Sequence, residues 1–374
     1  MIDIDTVLIK VASRCNINCS YCYVYNMGDT GWATMPARMS HETISAVAEG
    51  LGELAGLQQR RFAVVLHGGE PLLLGHTKLA HLLKLLRSVL SVSYPISIQT
   101  NGILITDEIL DVCAEYSTSV SVSIDGPRHI HNRNRVGHRD EGTYERVLAG
   151  IERLRNHSQA DFLFAGLLAV IDHESDPHEV YQFFKELDPP SVDFLYPDGN
   201  HSRLPPGKAS FHSTEYGRWL TTLLEVYLAD VAPVRIAILD RLIKVLLGGA
   251  GEKEGFGITD FGIIIIDTDG SVAKNDTLKS TFNGADRFSQ PWSVHTHPLT
   301  EVIRSREFAS YHALQRPTAS ACLTCPELGI CGGGMPVNRW RDDNGYDNPS
   351  VYCADQLLLI GHLHTKLAAL LKGT

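Results

Sequence analysis

Three cysteines lie close together near the start of the chain, in the segment RCNINCSYC. Cys15, Cys19 and Cys22 have the spacing C-x3-C-x2-C and follow directly on an apolar run. Three thiolates can hold a 4Fe-4S cluster and leave one iron without a protein ligand, and an open coordination position distinguishes reactive metal centres from structural ones. A zinc loop or three unrelated cysteines are the alternatives that the thiols alone leave open.

A second set of cysteines lies near the end of the chain. It consists of Cys322, Cys325, Cys331 and Cys353, with the spacing C-x2-C-x5-C before the last member. Four thiolates complete a tetrahedral site, and structural zinc is an ordinary use of such a set. The eighth cysteine, Cys113, stands alone in a predicted helix and is interpreted as a buried, inert thiol. Clustered cysteines favour metal binding over disulfides in a chain that carries no secretion signal.

Polar motifs follow three further apolar runs. They are His67-Gly68-Gly69-Glu70-Pro71, Gln99-Thr100-Asn101-Gly102 and Ser123-Ile124-Asp125-Gly126-Pro127. Glycines let a backbone approach another group closely, and a glutamate is an acceptor for a cationic donor. One such motif alone is compatible with a simple turn. Motifs that end successive strands instead predict one shared site.

Short apolar runs alternate with helical patterns along the first two thirds of the chain. The runs are VLIKVA, FAVVL, ISIQT, SVSVSI, DFLFAGLLAVI and VDFLY. Six strands that each precede a helix predict parallel pairing through right-handed crossovers, and hence an α/β fold with a partial (β/α)6 barrel of the TIM type. Functional groups are expected at the carboxyl ends of the strands, where the cysteines and the polar motifs lie.

The pattern changes after about residue 235. AILDRLIKVLLGG predicts a helix that ends at glycine, and FGIIIIDTDGSVAKND predicts a hairpin that turns at Asp269-Gly270. We therefore predict a barrel domain over residues 1–235 and a smaller domain over residues 236–374. The smaller domain would contain a bridging helix, the hairpin and the second cysteine set, with metal stabilising loops that lack hydrophobic periodicity.

The composition limits the classes of partner. The 374 residues are 44% hydrophobic, which suits a folded protein with sizeable cores, and the formal net charge is -10. This balance does not favour binding to nucleic acid or to an anionic membrane. The sequence has no secretion signal and no apolar run of about 18 residues, so we predict a cytoplasmic protein.

Together these motifs resemble the radical S-adenosylmethionine (SAM) superfamily. The resemblance implies that the first three cysteines hold a 4Fe-4S cluster whose open iron binds SAM, and that one electron cleaves SAM into methionine and a 5'-deoxyadenosyl radical. The residues that it places around SAM are Tyr21, Gly68, Gly69, Glu70, Pro71, Gln99, Asn101, Ser123, Asp125, Arg135 and Leu195. Arg133 and Arg146 are alternatives to Arg135 as the partner of the SAM carboxylate, and core packing is the alternative for Leu195.

The second cysteine set resembles the SPASM extension of peptide-modifying radical SAM enzymes. This resemblance implies an auxiliary 4Fe-4S cluster on the four later cysteines, and so two clusters in total. SPASM domains with two auxiliary clusters have a further cysteine where this chain has Met335, and cysteines around the hairpin, where it has none. Asp276 and Lys279 are expected in the place of that missing cluster. They form a salt-bridged structural pair, or one of them approaches the substrate, Asp276 as a catalytic base.

The resemblance narrows at RWLTTLLEVYLAD, CGGG and DNPSVYCADQL, which are similar to SPASM maturases that form cyclophanes in ribosomally made peptides. It implies removal of a side-chain β-hydrogen from a precursor peptide and bond formation between that carbon and an aromatic ring. The implied partners are the precursor peptide and an external electron donor. The alternatives are another SPASM modification, namely a thioether crosslink or formylglycine formation in sulfatases, and a noncatalytic iron-sulfur or zinc protein. No separate leader-binding domain is expected before the barrel.

Overall fold

The computed structural model describes residues 2–251 and 256–372. The strands in these ranges are β1 Ile4–Ala12, β2 Asn18–Cys19, β3 Ala63–Gly68, β4 Ile96–Thr100, β5 Thr118–Ser123, β6 Arg135–Val136, β7 Phe164–Val170, β8 Val192–Leu195, β9 Gly262–Ile266 and β10 Val272–Ala273. All six apolar runs that were predicted as strands form strands.

The helices follow the amphipathic patterns of the sequence. In the described ranges they are α1 His41–Leu57, α2 His76–Val89, α3 Asp107–Glu115, α4 Arg128–Asn134, α5 Tyr144–Asn156, α6 Ala160–Leu163, α7 Pro177–Leu187, α8 Glu215–Ala229, α9 Ala237–Leu246, α10 Leu299–Arg304, α11 Arg306–Ala313, α12 Ser320–Leu323, α13 Leu328–Cys331, α14 Pro336–Arg339 and α15 Cys353–Lys372. Short 3-10 helices cover Gly31–Ala33, Pro71–Leu74 and Asp276–Ser280. The predicted helix near residue 240 is α9, and Gly248 follows it with a φ of 86°.

The chain divides into two compact units. The first contains the residues up to Ile124, His131–Leu167 and Phe261–His312, and the second contains Asp125–Ile130, Leu168–Asp260 and the residues from Ala313 onward. The two units interleave along the chain, and one of the boundaries between them, after Leu167, falls within β7. The predicted domain boundary stays a prediction, because compact units and evolutionary domains need not coincide.

The first unit is built on parallel strands in the order β9-β1-β3-β4-β5, with β10 antiparallel to β9. Buried and half-buried residues alternate along β3 and β4, whereas most residues of β1, which lies between β9 and β3, are buried. The predicted hairpin is present and turns through Gly270, whose φ is 83°. Its first strand pairs with β1, so the hairpin extends the barrel sheet, which the sequence pattern did not predict.

The second unit contains β8, the helices α7 to α9 and the short helices that carry the later cysteines. The backbone N–H of Ile171, just after β7, donates to the carbonyl of Leu195 at 2.9 Å. Helices α8 and α15 approach closely at Gly217, whose N–H donates to Asp355 Oδ1 at 2.7 Å. Asp355 also pairs with Lys208 at 2.6 Å, and neither side chain is exposed to solvent.

Candidate functional site

The first three cysteines lie in the loop between β1 and α1 of the first unit. Cys19 is part of β2, which pairs with β6 so that Cys19 lies opposite Arg135. A turn follows, in which the Cys22 N–H donates to the Cys19 carbonyl at 3.0 Å. The loop is therefore fixed by backbone pairing with a segment that is distant in the sequence.

Burial dominates the electrostatics of these thiols. It raises the pKa of Cys15 to about 12 and the pKa of Cys22 to about 11, and the charge of Cys19 raises both values further. Reactive nucleophilic cysteines have a lowered pKa, so this loop does not have the character of a thiolate nucleophile. Within residues 2–251 and 256–372, no three His, Cys, Asp or Glu side chains are grouped as ligands of one metal ion. Cluster binding by these cysteines stays a prediction.

Glu70 joins the ends of two strands rather than standing free. Its carboxylate is almost completely buried and accepts hydrogen bonds from Leu72 N at 2.9 Å, Thr100 Oγ1 at 2.7 Å and Asn101 N at 2.8 Å. Burial raises its pKa, while these donors and Arg135 act in the opposite direction. The carboxylate thus holds the end of β4 against the segment that follows β3.

The two glycines before Glu70 allow close backbone packing against the cysteine loop. A Cβ on Gly68 would lie 2.1 Å from the Ala12 carbonyl oxygen, and a Cβ on Gly69 would lie 2.3 Å from the Arg14 carbonyl oxygen. The Gly69 N–H donates to Ala12 and the Glu70 N–H donates to Arg14, at 2.8 and 2.9 Å. These glycines therefore position the residues immediately before Cys15, and Pro71 starts the buried 3-10 turn that follows.

Side-chain donors surround Cys15. Asn101 Nδ2 donates to the Cys15 sulfur at 3.8 Å and to Asn16 Oδ1 at 2.7 Å. His138 Nε2 donates to the Cys15 carbonyl at 3.0 Å. Asn101 was predicted from its motif, whereas Asn16 and His138 were not. His138 has no motif of its own, but it closely follows Arg135, which was predicted.

The remaining predicted SAM residues of the first unit form two further pairs. Arg135 donates from Nη1 to the Tyr21 hydroxyl at 2.8 Å, and Arg135 is only 7% exposed. Gln99 Nε2 donates to Ser123 Oγ at 3.0 Å, at the ends of β4 and β5. Of the three arginines considered, Arg135 is the one whose backbone pairs with the cysteine loop.

Asp125 and Leu195 belong to the second unit. Asp125 is buried and its Oδ1 accepts from Val170 N at 3.1 Å. Leu195 ends β8 and is 38% exposed. Asp125 thus fixes the end of β7, and the Leu195 side chain is not part of a core. Their predicted contacts with SAM stay predictions.

Asp276 lies in a buried ionic network of the first unit. Lys10 Nζ is 2.7 Å from its Oδ2 and Lys279 Nζ is 3.9 Å from its Oδ1. Lys279 is closer to Asp286, at 2.5 Å. Burial alone would raise the pKa of Asp276, but the two lysines outweigh it and the pKa is lowered. The predicted pair of Asp276 and Lys279 is therefore present as part of a larger network.

Lys10 was missed in the sequence analysis. It is a charged residue within the apolar run at the end of strand β1, and it is 4% exposed. A lysine in such a run needs an anionic partner, and this requirement is the signal that could have revealed it. The network also borders a cavity of about 420 Å³ that is lined by Asp267, Lys279 and Asp286 among others.

Of the four later cysteines in the second unit, Cys322 is on α12, Cys331 ends α13 and Cys353 starts α15, while Cys325 lies between α12 and α13. Cys322 and Cys331 are buried, and Cys325 and Cys353 are partly exposed. The Cys331 thiol donates to Gln356 Oε1 at 3.0 Å. Gly332, which ends α13, has a φ of 70°, and a Cβ there would lie 2.3 Å from the Gly257 carbonyl oxygen. Burial raises the pKa of Cys331 to about 12.

Cys113 lies apart from both sets of cysteines, as predicted. It is on α3 and is completely buried, and burial raises the pKa of its thiol to about 12.

Comparison with known proteins identifies sequences and structures that are similar to this chain. Residues 9–186 match the model of the radical SAM superfamily. The cysteine-type anaerobic sulfatase-maturating enzyme of Clostridium perfringens strain ATCC 13124 is 26% identical over 358 residues, which are 93% of each chain. The structure of native anSMEcpe with bound AdoMet superposes with a TM-score of 0.82 at 22% identity, covering 98% of this chain and 99% of that one.

A second solved structure is less similar. Streptococcus suis SuiB bound to the precursor peptide SuiA has a TM-score of 0.64 at 14% identity, over 94% of this chain and 76% of that one. These likenesses confirm the predicted α/β fold with its parallel sheet. None of the helices in the described part of the chain is long and apolar enough to span a membrane.

Proposed function

Since this chain has the radical SAM fold and its residues 9–186 match that superfamily, we propose that it is a peptide-modifying oxidoreductase. The observation that carries the proposal is the loop of Cys15, Cys19 and Cys22, which is tied to the ends of successive parallel strands. The finer product that we propose is a carbon–carbon crosslink between a side-chain β-carbon and an aromatic ring.

The donor set of the loop suits a 4Fe-4S cluster. Three thiols belong to one short loop. A 4Fe-4S cluster held by them would have one iron without a protein ligand, which could bind the amino and carboxylate groups of SAM. Asn101 Nδ2 would donate to the Cys15 thiolate, a contact that favours the charged form of a ligand. Bound there, the cluster and SAM supply a 5'-deoxyadenosyl radical, which is chemistry that the cofactors bring.

The protein side chains orient the cofactor. Arg135 is held by β6 beside the cysteine loop and offers a cation to a carboxylate. Gln99 and Ser123 present polar groups at the ends of neighbouring strands. Glu70 acts indirectly in this proposal, because its carboxylate is already used by three protein donors.

The crosslink requires the peptide to lose two hydrogen atoms. One leaves the β-carbon as a hydrogen atom, which 5'-deoxyadenosine retains. After the carbon radical bonds to the ring, one electron and one proton must leave to restore aromaticity. The four later cysteines would hold an auxiliary cluster that could accept the electron, and we assign the proton to Asp276, which Lys10 holds in its ionised form. A purely structural role of Asp276 in its ionic network is the alternative.

A second candidate product is formylglycine. It is favoured by the likeness to the anaerobic sulfatase-maturating enzyme, which extends over 93% of both chains. Formylglycine formation also begins at a side-chain β-carbon, so the two candidates share their first step. Against it, the SPASM domains with two auxiliary clusters that the second cysteine set resembles have cysteines at positions where this chain has Met335 and a cysteine-free hairpin. We therefore prefer the crosslink.

The test begins with anaerobically reconstituted protein, SAM and a strong reductant. We expect about eight iron atoms per chain and formation of 5'-deoxyadenosine. Precursor peptides with aromatic residues and a peptide from a sulfatase are then supplied separately, and the products are sequenced by mass spectrometry. A ring crosslink supports the preferred product, and formylglycine supports the second candidate. Zinc without 5'-deoxyadenosine would refute both.

The role of Asp276 is tested in the same assay. D276N keeps the size of the side chain but removes its charge, so product should fall while 5'-deoxyadenosine is still formed. D269N is the control, because Asp269 is an exposed carboxylate at the hairpin turn. Unchanged product in D276N would assign Asp276 to the structural network alone.

A further inference from the structure

Arg339 is a cation in the interior of the second unit. It ends α14 and is 1% exposed, which makes it the largest side chain that is completely buried in the described part of the chain. Its guanidinium donates to the backbone carbonyls of Leu314 and, at 3.4 Å, Gln315. Its Nε has no hydrogen-bond partner. These contacts satisfy part of its hydrogen-bonding capacity, but carbonyls do not balance its charge.

A buried charge normally has an opposite charge beside it, because an unpaired ion in a protein interior costs several kcal/mol. Arg339 has no carboxylate among the groups whose charge acts on it in the residues that the structure describes. Those groups are the thiols of Cys322 and Cys331 and the hydroxyl of Tyr346. The guanidinium of an arginine keeps its charge at neutral pH.

We propose that the counter-charge of Arg339 is the cluster bound by Cys322, Cys325, Cys331 and Cys353, and that Arg339 raises the reduction potential of this cluster. The inference rests on the auxiliary cluster of the proposed function. A cluster held by four thiolates is an anion, and it becomes more negative when it accepts an electron. A fixed cation in a medium of low dielectric stabilises the reduced form more than the oxidised form. Arg339 is therefore a positioning residue for charge and not a ligand.

The position of Arg339 is set by the loop that leads to the last cysteine. Asn348 Nδ2 donates to the Arg339 carbonyl at 2.9 Å, and Val351 N donates to Asn338 O at 2.7 Å. The segment that delivers the cation is thus fixed to the segment that delivers Cys353. Forming the site brings the cation and the anion together.

The experiment measures the midpoint potential of the auxiliary cluster alone. The first three cysteines are replaced by alanine, so that the remaining cluster can be followed by electron paramagnetic resonance during a redox titration. In this background R339M and R339Q should shift the potential to more negative values, and R339K should restore it at least in part. R341M is the matched control, because Arg341 is 46% exposed and pairs with Asp343. It should leave the potential unchanged.

A second readout covers variants that lose the cluster. If the neutral variants cannot hold iron but R339K can, the charge is required and the proposal stands. If R339K fails in the same way as R339M and R339Q, the guanidinium serves the Leu314 and Gln315 carbonyls and the proposal is overturned. An unchanged potential in R339M also overturns it.

Failure of the proposed cofactor would look different. The unsubstituted second site would then contain zinc and no iron, which metal analysis detects before any Arg339 variant is made. The counter-charge is still tested in that case, because R339M should weaken zinc binding and R339K should not. Equal zinc affinity in both variants would overturn it.

Discussion

The two cysteine regions are built in different ways. The first is a loop held by long-range contacts, since β6 pairs with it and Asn101 and His138 donate to Cys15. The second uses short helices and left-handed glycines close to its own cysteines. The described partners of the first region are neutral donors and Arg135, which donates to the Tyr21 hydroxyl. The second region contains Arg339, and no carboxylate is among the groups whose charge acts on it in the described residues. This contrast agrees with the proposal that the first region binds SAM and that the second is closed by four thiols.

Removing the thiols of the first region should have the largest effect. In C15A/C19A/C22A, 5'-deoxyadenosine formation should be abolished and about four of the expected iron atoms lost, because only the second region retains its thiols. Iron analysis and a 5'-deoxyadenosine assay check this. C113A is the control, since Cys113 lies outside both regions, and it should keep its iron. Normal 5'-deoxyadenosine formation by the triple variant would contradict the central proposal.

Removing one thiol of the second region should separate the two centres. C331A should lose most of its crosslinked product and about half of its iron, while 5'-deoxyadenosine formation declines less, because the first loop retains all of its ligands. The same two assays and a product assay measure this. Unchanged product formation would argue against an auxiliary cluster that takes part in the reaction.

The support of the first region can be weakened without touching a cysteine. E70Q replaces a carboxylate oxygen with an NH2 group that faces a backbone donor or Thr100 Oγ1, so at least one buried donor loses its acceptor. We expect the free energy of unfolding to fall by about 1–3 kcal/mol, as measured by urea denaturation. E53Q, on an exposed position of α1, is the control. Equal stabilities of the two variants would show that Glu70 does not join the strand ends.

The smallest expected effect at neutral pH is the acid sensitivity of the first region, which appears only as the pH falls. His131 is completely buried and bonded to Thr143 Oγ1 at 3.0 Å, and burial lowers its pKa to about 3. As the pH falls below about 6.5, His131 therefore takes up a proton in the unfolded chain but stays neutral in the folded chain. This histidine makes stability decrease as the pH falls from about 6.5 towards 3, by at most about 1.4 kcal/mol per pH unit.

Denaturation at several pH values measures this dependence. H131N should flatten it, because the asparagine cannot take up the proton, whereas H129N should retain it, since His129 is exposed. Thr143 in turn donates to the Arg135 carbonyl at 2.6 Å, which links this histidine to the strand that pairs with Cys19. An identical slope in H131N would show that His131 is not the group responsible.

Much of the fold could be predicted from the sequence, because apolar periodicity is a local property of the chain. The six strands, the hairpin and the helix that ends near Gly248 were all predicted from such patterns. The pairing of β9 with β1 was not, since it depends on contacts between segments far apart in the chain. The division into units that interleave along the chain also depends on contacts between distant segments, so local sequence patterns do not predict it.

The candidate site was predictable in its residue types and less so in their roles. Cysteine spacing and the polar motifs identified most of the side chains at the first loop. The sequence could not tell that Glu70 is fully occupied by protein donors, or that Lys10 pairs with Asp276. Arg339 follows the glycines Gly332 to Gly334, but no sequence motif includes it, and only its burial in the structure identifies it as a charged residue of the interior.

The pairing of β2 with β6 also determines the order in which the first region can be assembled during synthesis. Arg135 follows Tyr21 by 114 residues. At roughly 5–20 residues per second, the cysteines leave the ribosome about ten seconds before the segment that fixes them. For that interval the three thiols are on an unpaired nascent chain, open to oxidation and to the machinery that delivers iron and sulfide. The protein thus exposes these three thiols first and encloses them later.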